Sequence, residues 1–180
     1  MLEEERTGAW RDINGRGSPE PVTRRYLTMW LDHGTDPAGA SYAYVLMPGA
    51  SAATRARAAR RDRVELLANT AAVQAIRVRK LGLTAANFWT AGEVTAGGVA
   101  VSAPACVLIR ERADGSAVLC VSDPARQAGA LTVTWQRPVR GVLSAPPALT
   151  GAATGSSLRL TFGDLRGTAG ATQKVTLALS

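Results

Sequence analysis

Three segments near the end of the chain, LTVTW, SLRLTF and KVTLAL, alternate apolar and polar residues with a period of two. Successive side chains of an extended strand point to opposite faces. The period therefore puts Leu131, Val133 and Trp135 on one face, and likewise Leu158, Leu160 and Phe162, and Val175, Leu177 and Leu179. A strand that is apolar on one face and wet on the other has to cover the apolar face with a second sheet, as in an antiparallel sandwich. Turn chemistry recurs at short intervals, at Asp114-Gly115, Asp123-Pro124, Pro138, Pro146-Pro147 and Gly163-Asp164. The expected fold class is all-β.

The earlier part of the chain has a different texture. Residues 1–21 read as irregular, punctuated by Gly15, Gly17, Pro19 and Pro21. VTRRYLTMWLD, from Val22, has the β-branched and aromatic content of a strand, with SYAYVLMP as its partner across the HGTDPAGA turn. Val22, Tyr26 and Trp30 share one face, and Leu27, Met29 and Leu31 the other. Apolar groups on both faces predict a strand inside a large, covered sheet. Ser51 caps a short helix near 51–62, rich in Ala and Arg. VELLANT and VQAIRVRKL follow as strands, and NFWTAGEVTAGG closes a layer. The change in texture predicts a boundary near 98–104, dividing the chain into 1–102 and 103–180.

Composition narrows the partners. The net charge of +7 comes from 19 Arg and 2 Lys among 180 residues. A basic surface attracts polyanions, and the Arg fork suits carboxylate and phosphate alike; the same Arg content also accompanies a composition rich in Ala and Gly. The Arg are scattered over strands and no nucleic-acid motif is present, which disfavours a nucleic-acid partner. The longest apolar runs fall far short of the roughly 20 residues that cross a bilayer, so no membrane partner is expected. MLEEERTG lacks the basic end and apolar stretch of an export signal. The chain is then either cytoplasmic or begins inside a longer secreted protein. Cys106 and Cys120 flank the Asp114-Gly115 turn. A two-residue loop there would place their sulfurs on opposite sheet faces, as free thiols.

Motifs for common chemistries are missing. Nothing matches GxxxxGK[ST] or a strand-linked GxGxxG. Two Cys without CxxC spacing and a lone His do not make a tetrahedral zinc site, and no GxSxG exposes a Ser. No metal or other cofactor is expected. His33, between Asp32 and Asp36, reads as a general base or ligand, or as a turn residue bonded locally; the turn is favoured. Arg57, Arg60 and Arg61 share a helix face that is either a substrate-binding rim for an acidic chain or simply solvated. All four Trp are candidates for stacking on sugar rings, but Trp30 and Trp135, in alternating segments, are expected in the core, and core packing is also favoured, less strongly, for Trp10 and Trp89.

Read in order, WRDIN, VTRRYLTMWLDHG, SYAYVLMP, NTAAVQAIR, NFW and VSDP resemble the carboxy-terminal portion of polysaccharide lyase family 8, which includes hyaluronate, chondroitin AC and xanthan lyases. The resemblance runs from Trp10 to Pro124 and more weakly to the end. It implies the last part of a large antiparallel super-sandwich domain followed by a small β-sandwich. It also implies β-elimination of an acidic polysaccharide without a redox cofactor, by a secreted full-length enzyme. The family's catalytic Asn, His, Tyr and Arg lie in an amino-terminal α/α toroid, and none maps onto this sequence; His33 falls in the DHG turn of the sheet domain. The chain is accordingly expected to be a non-catalytic, carbohydrate-binding and supporting portion, inactive without the toroid as its partner. The alternative is a stand-alone β-sandwich module that binds acidic glycans.

Overall fold

The computed structural model describes residues 2–58, 64–91 and 95–180. Its chain divides into two compact units, Met1–Leu46 and Met47–Ser180.

The first unit is built on a hairpin. Strand β1 (Leu2–Ala9) leads through a 3-10 turn, Trp10–Asp12, to β2 (Pro21–Thr28). The two strands pair antiparallel from Leu2↔Thr28 to Ala9↔Pro21. Residues 2–9, expected to be irregular, are thus a strand. Cross-strand polar contacts hold it: the Thr7 and Thr23 hydroxyls lie 2.7 Å apart, Arg25 reaches Glu3 at 3.6 Å, and the Arg6 guanidinium sits 5.5 Å from the Tyr26 ring centre. SYAYVLMP, expected to be the partner strand, lies outside every strand among the described residues. Tyr42 and Tyr44 there stack with ring centres 6.3 Å apart. Within a two-stranded hairpin neither face is covered. Tyr26 and Leu27 are accordingly exposed, and Trp30, just beyond β2, is 60% exposed, against the expectation that it is core.

The second unit opens with helix α1 (Ala52–Ala58), capped by Ser51, whose hydroxyl accepts the Thr54 N–H at 3.1 Å. Eleven described strands follow: β3 (Glu65–Asn69), β4 (Val73–Val78), β5 (Leu83–Phe88), β6 (Val99–Val101), β7 (Ala105–Glu111), β8 (Ser116–Ser122), β9 (Leu131–Trp135), β10 (Val139–Ser144), β11 (Leu149–Ala153), β12 (Leu158–Phe162) and β13 (Gln173–Leu179). A seven-stranded sheet has the order β10-β13-β8-β7-β5-β4-β3, and a four-stranded sheet the order β11-β12-β9-β6. The alternating segments at the end of the chain are strands β9, β12 and β13, each with its apolar side buried. Leu119, Val175 and Leu177 from the larger sheet join Val133, Leu160 and Phe162 from the smaller one in a single core cluster.

Strands from both sides of the boundary expected near 98–104 share this sandwich. β5 pairs β7 from Leu83↔Arg110 to Phe88↔Ala105. Gly97 and Gly98 form a tight reversal, across which Ala96 and Val99 exchange backbone hydrogen bonds of 2.9 and 3.0 Å. This turn lies within the second unit. Irregular pairing marks the sheet margins: β3, β10 and β11 carry register shifts, and β6 is three residues long.

The β7–β8 hairpin corrects the thiol geometry. Its loop has three residues, Ala113 to Gly115, so that Arg112 and Ser116 face each other and Cys106 pairs with Ser122, Leu108 with Cys120. One residue more than expected reverses the parity, and both cysteines share a face. They remain free. A diagonal pair stands roughly 7 Å apart, beyond the Cβ separation of about 4 Å that a disulfide needs. Burial pushes the Cys106 thiol up.

Leu160 is fully buried between the sheets whereas Leu143 is 62% exposed. Urea unfolding is expected to show Leu160→Ala less stable by about 3 kcal/mol and Leu143→Ala changed by less than about 0.5 kcal/mol.

Candidate functional site

The first unit carries a groove of about 460 Å3 whose lining includes Arg6, Thr7, Trp10, Asp12, Arg24 and Tyr26. Its floor follows from the hairpin register. Arg6 stands directly opposite Arg24, and Gly8 opposite Val22, so Arg6, Arg24 and Tyr26 project from one face. Its wall is the 3-10 turn. The Trp10 carbonyl accepts the N–H groups of Ile13 and Asn14 at 3.3 and 3.0 Å, and the Asp12 carboxylate accepts the Ala9 N–H at 2.7 Å. Gly17 packs so closely that a Cβ there would lie 2.6 Å from the Trp10 carbonyl carbon. The backbone of Trp10 is therefore fixed while its ring is 64% exposed.

Two like charges directly opposite on a hairpin repel. Arg6 is relieved by an ion pair with Glu4 and by the face of Tyr26; the Arg24 Nη1 donates to the Thr23 carbonyl at 2.8 Å. Exposed aromatic faces beside guanidinium forks can take the flat side of a sugar ring together with a carboxylate. Trp10 was one of the stacking candidates in the sequence, but core packing was favoured for it, and its exposure goes against that expectation. Arg6, Arg24 and Tyr26 were not readable as candidates, because their common face depends on a strand at 2–9 that composition hides; the signal was the alternation of Val22, Arg24 and Tyr26.

The other candidates do not converge. Arg57 lies on α1, and Arg60 and Arg61 lie outside the described residues. His33 is exposed in a turn where the Asp32 carboxylate accepts the Gly34 N–H at 2.8 Å, and its ring is 6.4 Å from that of Tyr42. Trp135 is buried, and Trp89, 56% exposed, donates its indole N–H to Gln74. Asp123 is buried, with its carboxylate accepting the Ala128 N–H at 2.7 Å. The largest carboxylate perturbation is structural: hydrogen bonds from the Arg166 side chain and backbone hold Asp164 down at about 2.

Comparison with known proteins gives a consistent set of relatives. Residues 1–59 match the super-sandwich domain of polysaccharide lyase family 8, and residues 65–132 its C-terminal beta-sandwich domain. The junction between these matches lies upstream of 98–104, near the start of the second unit. A hyaluronate lyase of Thermasporomyces composti is 46% identical over 99% of this chain and 23% of its own length. A xanthan lyase of Bacillus sp. (strain GL1) is 42% identical over 82% of this chain and 16% of its own. The crystal structure of a Streptomyces coelicolor A3 chondroitin AC lyase in complex with chondroitin sulphate superposes with a TM-score of 0.84 at 48% identity, covering 99% of this chain and 24% of that one. The chain thus spans about a quarter or less of the relatives it matches.

A carboxyl held below its ordinary value favours the folded state above the usual carboxylate range, and that contribution is lost as pH falls through the lowered value. An NMR titration is expected to put the Asp164 midpoint at about 2, and Arg166→Gln should return it towards roughly 4. An Asp164 midpoint unmoved by that substitution would contradict the assignment.

Proposed function

The chain belongs to polysaccharide lyase family 8, and we propose that it is the carboxy-terminal β-portion of a lyase acting on an acidic polysaccharide of hyaluronan, chondroitin or xanthan type. The observation that carries this reading is the match to a hyaluronate lyase along 99% of the chain at 46% identity. The reaction is β-elimination. A base removes the C5 proton of a uronate, the electron pair forms a C4–C5 double bond, and the 4-linked oxygen leaves as a hydroxyl after taking up a proton. Neutralising the adjacent carboxylate makes that proton removable.

The residues for these steps belong to an α/α toroid beyond this sequence, and this chain supports that domain and contacts glycan. The groove of Trp10, Tyr26, Arg6 and Arg24 supports the contact role, because it joins aromatic faces to guanidinium groups. Acidic polysaccharides of this kind lie outside the cell, so the full-length enzyme works as a secreted protein. The stand-alone reading has one observation in its favour: the second unit encloses a continuous core drawn from both of its sheets.

Two measurements test the proposal. The purified chain should be retained on hyaluronan or chondroitin sulfate resin, with Trp10→Ala and Arg24→Gln each weakening retention about three- to tenfold. It should release no unsaturated uronate, followed by ultraviolet absorbance. Turnover by this chain alone would overturn the non-catalytic role. A longer protein containing this sequence that leaves hyaluronan, chondroitin and xanthan intact would overturn the lyase assignment.

A further inference from the structure

The second unit has its own basic cleft, of about 390 Å3, lined by Arg77, Arg79, Gly82, Thr84, Glu111 and Arg137. Four parts of the sandwich build it. Arg77 ends the inward row of β4, after buried Val73 and Ala75, and stands between Glu65 of β3 and Thr84 of β5 in the register. Arg79 begins the 3-10 turn Arg79–Leu81 that leads to Gly82. Glu111 ends β7 and donates its N–H to the Gly82 carbonyl at 2.9 Å. Arg137 lies in the short link between β9 and β10.

The charges are arranged unequally. Arg137 Nε donates to Glu111 Oε2 at 3.0 Å, and Arg79 Nη2 lies 2.7 Å from Glu65 Oε2, close but without hydrogen-bond alignment. These pairs hold two guanidiniums at the rim. Arg77 has no carboxylate partner among the described residues; its Nε lies 3.5 Å from the Thr84 hydroxyl. Gly97 closes the space above it, where a Cβ would lie 2.9 Å from Leu67 Cδ1 and 3.6 Å from Arg77 Nη2. Arg77 is half-buried, so its field is less screened than that of a surface charge.

We propose that this cleft is an accessory anion subsite, in which Arg77, flanked by Arg79 and Arg137 and by the Thr84 hydroxyl, takes the carboxylate or sulfate group of an acidic glycan. A guanidinium presents parallel N–H donors that match a planar carboxylate and two oxygens of a sulfate. The volume falls within the range of about 300–1,000 Å3 found for small-molecule sites. The identity of the ligand rests on the polysaccharide reading above; the site itself rests on the cleft. Both elements that carry Arg77 and Thr84 belong to the sheet, so the subsite is preformed.

The test is calorimetric titration of the full 180-residue chain with hexasaccharides of hyaluronan and of chondroitin 4-sulfate, with inorganic sulfate, and with a neutral dextran oligosaccharide. The acidic oligosaccharides bind and dextran does not. Binding of both oligosaccharides without binding of inorganic sulfate assigns the subsite to carboxylate, and binding of inorganic sulfate extends it to sulfate esters. Arg77→Gln weakens binding about tenfold, the loss of one charged hydrogen bond, and Arg77→Lys by less. Lys174→Gln, which removes the same charge from the exposed side of β13, leaves affinity within about twofold of the parent. Circular dichroism and thermal unfolding check that each variant is folded. Equal affinity of parent and Arg77→Gln overturns this inference and leaves the lyase proposal standing. An equal loss in Lys174→Gln overturns it too, as general charge attraction. Failure of the parent to bind any acidic oligosaccharide overturns both the subsite and the glycan-contact role.

Discussion

The packing of two inner sheet faces against each other governs the second unit. Leu119, Val133, Leu160, Phe162, Val175 and Leu177 are all fully buried in it. Because strand side chains alternate strictly, burying one residue of a strand decides where all the others point. The inward row of β4 illustrates the consequence. Val73 and Ala75 are buried, and the next inward position, two residues on, is Arg77 in the cleft. An arginine is held between strands by the same parity that places the core.

Where this constraint acts locally, it was legible in the residues. LTVTW, SLRLTF and KVTLAL alternate cleanly and are β9, β12 and β13. Where the outcome depends on an unseen partner, it was not. LEEERTGA carries three Glu and an Arg and has no apolar period, yet forms β1 through contacts with β2. SYAYVLMP has ideal strand composition but lies outside every strand among the described residues, since β propensity expresses a fit to neighbours more than a backbone preference. The thiol parity failed by a single loop residue. The candidate sites followed suit. Trp10 could be picked by type, but the face shared by Arg6, Arg24 and Tyr26 needed the register. The Arg57, Arg60 and Arg61 surface falls largely outside the described residues.

The two units solve different problems with the same element. In the sandwich, each strand of the central pair β7–β8 keeps its inward residues dry. In the first unit, large apolar groups such as Leu27 and Trp30 lie open. Scattered exposed apolar residues are ordinary, but a concentration of aromatics offers flat contact area at low entropic cost. Chemistry that stacks on rings is available to the first unit, and chemistry that neutralises anions in a fixed cleft to the second.

The uneven margins of the sandwich have a colloidal consequence. An open sheet ends in unpaired N–H and C=O groups that template the addition of another chain. Each of the four outermost strands here is a poor template. β3, β10 and β11 lose register along their length, and β6 offers only three residues. A second molecule aligning on any of them would find only a few consecutive bonds before the spacing failed. Interrupted margins let copies of this chain collide without zipping together.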